Sequence, residues 1–167
     1  MAVLREKFPL DGKKPLKKTI ESIWSFFILV LVALVLLYLV GYGQDENIFS
    51  NFSIILYISI GVFILFFVLK YLYEIFYMKY YFYDLAGKNL IIKKGVFSRN
   101  EITLPINRLQ DVYVDQDVID RIFGLYDLHV SSATVISGNL SHIDGLDKSN
   151  SEAIKKLILS SIHKEND

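Results

Sequence analysis

Three histidines and one acidic run supply the side chains in this chain suited to proton transfer or metal ligation. His129, His142 and His163 are scattered, the first two on segments patterned as strands and the third in the last turn of a helix. No G-x-S-x-G, H-E-x-x-H, phosphate-loop or dinucleotide fingerprint accompanies them, so the sequence points away from an enzyme and implies no cofactor. Asp115, Asp117 and Asp120 suggest a calcium loop, but a twelve-residue loop starting at Asp115 would need Gly at its sixth place and Glu at its last. Asp120 and Tyr126 stand there. The acids are better suited to capping a short helix. With no cysteine in the chain, thiol nucleophiles, disulfides and Cys-based metal sites are excluded.

Two basic groups remain. Lys88, Lys93, Lys94 and Arg99 lie on or near a patterned hairpin, where they could meet anionic lipid headgroups at about 1 kcal/mol per charge near the surface. The plainer reading is a solvated hairpin face. Lys13, Lys14, Lys17 and Lys18 precede an apolar run, and membrane topology alone accounts for them. The chain has no net charge, which argues against nucleic acid as a partner.

The elements that must position these residues are of two kinds. The chain of 167 residues is 53% hydrophobic yet 22% charged, a division between an apolar part and a polar part. Ser22 to Gln44 and Phe52 to Leu69 contain no charged residue. At 1.5 Å per residue, the second run alone covers roughly 27 Å, close to the hydrocarbon thickness of a bilayer. Residues 22–73 therefore read as a two-helix transmembrane hairpin, with spans at about 22–42 and 52–73, rather than a secretory signal or a re-entrant pair. Trp24, Tyr38, Tyr42 and Tyr71 suit interfacial anchors. The connection from Gly43 to Asn51 carries Asp45 and Glu46 but no Lys or Arg, whereas positive charge flanks both outer ends. The positive-inside rule then places both termini in the cytoplasm, with 1–21 a basic cytoplasmic segment. Asn51-Phe52-Ser53 matches a glycosylation sequon by chance at the boundary.

Beyond Lys79 the apolar residues alternate. The pattern predicts strands at 80–85, 90–97, 100–105, 109–116 and 127–132, with weaker ones within 133–137 and 140–145. Ala86 to Asn89 is a tight turn, and Gly95 is a candidate bulge. Asp117 and Gly124 delimit a short helix over 118–123. A final helix from about Asn150 to His163 carries an apolar stripe of Ile154, Leu157, Ile158 and Ile162, with Ser149 and Glu152 as a capping box. Short strands sealed by one amphipathic helix predict an all-β barrel or sandwich with a helical cap over 79–163.

The segment LPINRLQDVYVDQDVIDRIFGLYDLHVSSA, Leu104 to Ala133, resembles the prokaryotic pleckstrin-homology-like domain of small membrane proteins of the YdbS and YdbT type. The resemblance runs from Tyr80 to Ile162. It implies a pleckstrin-homology-like barrel capped by a C-terminal helix, placed directly after transmembrane helices, and it brings no catalytic residue. Pro105, Arg108, Gln110, Gln116, Arg121 and Gly124 carry the signature. Their charges could form a ligand site, but a structural role reads better, with Arg121 tied to Asp117 and Asp120 and Arg108 to Asp111.

The expected protein is thus an integral protein of the cytoplasmic membrane presenting a non-catalytic module for protein–protein interaction or self-assembly. Its partners would be the lipid bilayer and either another membrane protein or a second copy of itself. Ala33, Ser59 and Gly61 offer small surfaces for helix contact. Headgroup recognition by the basic hairpin, and service as an accessory subunit of a transporter or secretion complex, are the alternatives.

Overall fold

The computed structural model describes residues 3–41, 46–132 and 141–166, so the strand expected within 133–137 lies outside the described residues. The chain divides into two units, residues 18–74 and a second made of residues 1–17 with 75–167.

The first unit contains most of two long helices, α2 (Lys14–Gly41) and α3 (Glu46–Tyr80), which follow a short α1 (Leu4–Lys7). Both pass as candidate membrane spans by length and composition, over Lys14–Leu36 and Ser53–Tyr80, with mean hydropathies of 2.3 and 2.4. Their apolar side chains are largely exposed, Leu29, Leu39, Ile58 and Leu65 among them. The two helices meet through rings: Phe26 lies 5.1 Å from Phe66, and Phe27 lies 5.8 Å from Phe63. Ser59 turns its hydroxyl back to the Ile55 carbonyl at 2.8 Å, while a Cβ on Gly61 would touch nothing. Gly61 therefore marks no close backbone approach within the chain. Lys70 meets Glu74 one turn on at 2.7 Å.

The second unit is built on two antiparallel meanders, β1 (Phe82–Ala86), β2 (Asn89–Lys94) and β3 (Asn100–Pro105), then β4 (Leu109–Asp115), β5 (Tyr126–Ser132) and β6 (His142–Leu146). Tyr83 pairs with Ile92, and Leu90 pairs with Leu104, so these side chains share one face and form the core side of the first sheet. Leu128, Val130 and Ile143 do the same for the second. α5 (Lys148–Asn166) lays the buried Ile154 and Ile158 against this core. The expected stripe is correct, but Asp147, whose carboxylate accepts from the Asn150 amide at 2.7 Å, caps the helix in place of Ser149.

Of the expected barrel or sandwich, the described residues form two separate three-stranded sheets and no closed barrel. Pro105, which has no N–H to donate, ends β3, and a 3₁₀ turn at Ile106–Arg108 carries the chain to the second sheet. In place of a strand pair, the Tyr81 hydroxyl donates across to the His142 carbonyl at 2.8 Å. Gly95 is no bulge either. It lies past the end of β2 at φ 111°, where a Cβ would stand 1.9 Å from the Ser98 carbonyl oxygen.

Tyr81 and Tyr83 are fully buried, and burial raises both phenols above their usual range, with the charge of Asp144 adding to the rise at Tyr81. A folded-state acid with a raised pKa keeps its proton after the unfolded chain has lost it. Stability should therefore fall as pH rises above about 10, by about 1.4 kcal/mol per pH unit for each phenol. Alkaline unfolding followed by tyrosinate absorbance checks this, and Tyr81→Phe or Tyr83→Phe should remove half of the slope.

Candidate functional site

The N-terminal segment forms part of the second unit. Arg5 donates to the Met78 and Lys79 carbonyls at 2.7 and 3.0 Å, closing the C-terminus of α3, where orphan carbonyls need donors. Asp84 accepts from the Leu4 amide at 2.9 Å, the Tyr83 hydroxyl donates to the Phe8 carbonyl, and Asn150 donates to the Pro9 carbonyl. Leu4 and Leu10 enter the core between these polar ties. Asp11 then donates its amide to the Gly145 carbonyl at 2.9 Å, and α2 begins.

Its first turn delivers two lysines to buried carboxylates. Lys14 lies 3.1 Å from Asp144 and 3.9 Å above the Tyr81 ring. Lys17 contacts Asp120 directly, with Asp117 at 3.7 Å and Asp127 at 3.9 Å. Lys14, Lys17, Asp120 and Asp144 are all buried, a placement that charged side chains tolerate only when paired. Burial pushes the Asp120 carboxyl up against the pull of Lys17; burial and then the charge of Asp144 push Asp127 up. For Asp117 burial is outweighed by the Asp120 amide and Lys17, which hold it below its usual value. The charges that topology alone would explain thus have named partners. The arrangement suits a structural lock between the start of α2 and α4 (Val118–Phe123).

α4 carries the caps read from the sequence, with Asp117 accepting from the Asp120 amide at 2.6 Å and Gly124 at φ 70°. Gln116 braces the far side by donating to the Leu125 carbonyl at 2.9 Å. The expected pairing of Arg121 with Asp120 is replaced. Arg121 is exposed, and Lys17 is the cation that meets Asp120.

The signature residues fall into two places. Pro105, Arg108 and Gln110 line a cleft of about 570 Å³ beside Asn107 and Ser132. Gln116, Arg121 and Gly124 belong to α4 and its flanks. His129 and His142, paired across β5 and β6, stack at 5.4 Å, with Tyr113 on the other side of His129 at 4.9 Å and Asp115 3.2 Å from its Nε2. The side chain of His163 lies outside the described residues. Among the described residues, no three His, Asp or Glu side chains converge in a group able to hold a metal.

The basic hairpin does not converge. Lys88 sits at the β1–β2 turn, about 15 Å along the strands from Phe82. Lys93 faces outward to Glu101 at 3.0 Å, and Lys94 is buried on the opposite face with its ammonium 5.3 Å from the Tyr81 ring. Arg99 is exposed at the end of the sheet that joins α3, 5.5 Å from the Tyr80 ring.

The carboxylate partners of Lys14 and Lys17 lie a hundred or more residues away, and no local signal reveals them. Lys94, expected on a solvated or headgroup-facing hairpin, is instead buried, and its strand parity with the core residues Leu90 and Ile92 was the signal that would have shown it.

No curated protein and no solved structure matches the chain. The family model described as bacterial PH domain matches residues 23–162, which takes in most of α2, all of α3, the two meanders and most of the terminal helix. With the greater part of its length matched, the chain belongs to the bacterial PH domain family.

Proposed function

We propose that this chain is an integral protein of the cytoplasmic membrane, both termini inside, whose bacterial PH domain is a non-catalytic module for docking another membrane protein or a second copy of itself. The observation that carries the reading is the candidate span Ser53–Tyr80, with none of its most apolar window buried by the protein. An apolar helix face exposed on this scale in water would be an aggregation site, whereas lipid covers it without cost. Anchoring raises the effective concentration of partners in the same membrane, so weak contacts suffice. Docking is favoured over headgroup recognition by the first hairpin, since Lys88, Lys93, Lys94 and Arg99 point to different places. An accessory role in a transporter or secretion complex is the same reading with a larger partner.

The chain has no native cysteine, so single introduced thiols report topology cleanly. In intact cells a membrane-impermeant maleimide should label Gln44→Cys and leave Asn150→Cys unlabelled until the membrane is opened. Crosslinking in native membranes should convert the chain into a larger defined adduct. Labelling of Asn150→Cys from outside defeats the topology, and recovery of monomer alone across crosslinkers defeats the docking role.

A further inference from the structure

Four polar side chains in the cleft where β3 gives way to β4 make no hydrogen bond or ion pair among the described residues: Thr103, Asn107, Arg108 and Gln110. Elsewhere in the same unit such groups brace the chain. Gln116 donates to the Leu125 carbonyl, Asn150 donates to the Pro9 carbonyl, and Asp84 accepts from the Leu4 amide. Arg108, expected to pair with Asp111, stands without it, and Asp111 lies 3.5 Å from the Ser131 hydroxyl instead. We propose that this cleft binds a small phosphomonoester, with the Arg108 guanidinium on two phosphate oxygens and Thr103, Asn107 and Gln110 donating to the remaining acceptors. The site lies wholly within the second unit, and it is separate from the basic hairpin and from the docking role proposed above.

The backbone explains why these groups converge. Pro105 ends β3, and the 3₁₀ turn Ile106–Arg108 holds Asn107 and Arg108 at the corner. The Ile106 amide donates to the Lys88 carbonyl at 2.9 Å, and in the register that pairs Leu104 with Leu90 the bonding to β2 falls on alternate residues of β3. Thr103 lies between them, so its N–H faces the unpaired edge of β3 as a further donor. On β4, Leu109 opposes Ser132 and Asp111 opposes Ser131, which makes Gln110 the extra residue of a bulge. A bulge re-aims a side chain, and Gln110 lines the cleft. Charge decides the class of ligand. Among the described residues the lining holds one cation and no acid, and Glu101, two residues before Thr103, is held by Lys93 at 3.0 Å. A phosphomonoester brings nearly two negative charges and three strong acceptor oxygens, which a planar guanidinium with several neutral donors around it matches. The volume of about 570 Å³ is within the range of small-molecule sites, so the organic group of the ester fits beside the buried Leu104 and Leu109.

The test titrates the full chain in detergent with inorganic phosphate and with glycerol phosphate, followed by heteronuclear NMR of the backbone amides. The amides of Thr103, Asn107 and Arg108 should shift and saturate, with half-saturation at or below about 1 mM glycerol phosphate, the weak end of ordinary affinities. Arg108→Gln should weaken binding at least about tenfold, and Arg108→Lys, which keeps the charge but not the fork, should recover only part of the loss. Gln110→Leu should weaken it about two- to tenfold, the worth of one hydrogen bond. Arg108 and Gln110 are exposed, so unchanged amide spectra away from the cleft will show that each variant is folded. Lys88→Gln, at the far hairpin turn, should leave the affinity as it was. Absence of saturation, shifts confined to residues outside the cleft, or equal losses in Arg108→Gln and Lys88→Gln overturns the proposal. Dibutanoyl phosphatidate, which carries the same phosphate on a short-chain diacylglycerol, identifies the source. Binding no tighter than that of glycerol phosphate assigns a soluble ester, and binding at least about tenfold tighter, with the gain lost in Arg108→Gln, assigns a lipid headgroup; both results uphold the site.

Discussion

Lys17→Met should unfold the PH domain more readily than any exposed substitution, at a cost of about 3–5 kcal/mol, the usual penalty for leaving a buried charge without its partner. Methionine keeps the length and apolar stem of the side chain, so the loss is of the ammonium and not of packing. What remains is Asp120, buried, with Asp117 and Asp127 beside it and no cation among them to offset their repulsion. For a unit of this size the midpoint of thermal unfolding, followed by β-sheet circular dichroism in detergent, should fall on the order of 10–20 °C. Asp120→Asn in the same chain should restore more than half of the loss, because the amide needs no counter-ion. Independent, additive effects of the two substitutions would show that the pair is not coupled.

The sign of the pH dependence follows from the shifts. A buried carboxyl with a raised pKa binds its proton more tightly folded than unfolded, so its stability contribution is fully present below the unfolded pKa and is lost as pH rises through the folded pKa. Asp120 is already of this kind through burial, and Lys17 is what opposes the shift. Without Lys17 the carboxyl should rise further, and the deficit of Lys17→Met should shrink as the pH is lowered through the carboxylate range. Asp117 behaves oppositely. Its depressed pKa contributes stability that is present above the ordinary carboxylate value and is lost on acidification.

The parts of the fold legible in the sequence were those whose signals are local. Asp117 and Gly124 bounded α4 to the residue, because an N-cap carboxylate and a left-handed glycine act within one turn of their positions. The stripe through Ile154 and Ile158 was equally plain, being a period written into one helix. The cap of that helix was placed two residues late, since Asp147 and Ser149 are both competent acceptors and only the backbone path decides between them. The role of residues 3–17 was not legible at all. A basic stretch before an apolar run is what topology requires anyway, so composition could not reveal that Lys14 and Lys17 also face acids far along the chain. Arg5 was hidden for the same reason, because its acceptors are main-chain carbonyls that any sequence would supply. The exposure of Val118 and Ile122 was hidden differently: both read as ordinary helix formers until α4 turned Asp120 inward and left them outside.

Gly145→Ala should be the second severe substitution, and its cost has two separable sources. Gly145 sits at φ 78°, where a side chain costs about 1–2 kcal/mol. A Cβ there would also stand 2.6 Å from Lys14 Cδ, 2.7 Å from Cγ and 2.8 Å from Cβ. A flexible lysine could ordinarily swing away, but this one is buried with its ammonium 3.1 Å from Asp144. The backbone cannot yield easily either, because the Gly145 carbonyl accepts from the Asp11 amide and its own amide donates to Asp127 at 2.8 Å. Overpacking of this kind costs about 1–3 kcal/mol more, for a total of about 2–5 kcal/mol. The strain falls where the N-terminal segment meets β6, so trypsin cleavage after Arg5, Lys7 or Lys13 should accelerate at least about thirtyfold when opening precedes cleavage, the factor that corresponds to 2 kcal/mol. Lys14→Ala in the same chain tells the sources apart. Lys14→Ala removes Cγ and Cδ but keeps Cβ, so if the contacts with the two outer carbons contribute, adding Lys14→Ala to Gly145→Ala should cost less than Lys14→Ala alone; if the cost lies in the backbone angle and the Cβ contact, the two losses should simply add. Cleavage of Gly145→Ala at the rate of the unaltered chain would mean that the first turn of α2 does not bear on Gly145, and the seating of the N-terminal segment would have to be redrawn.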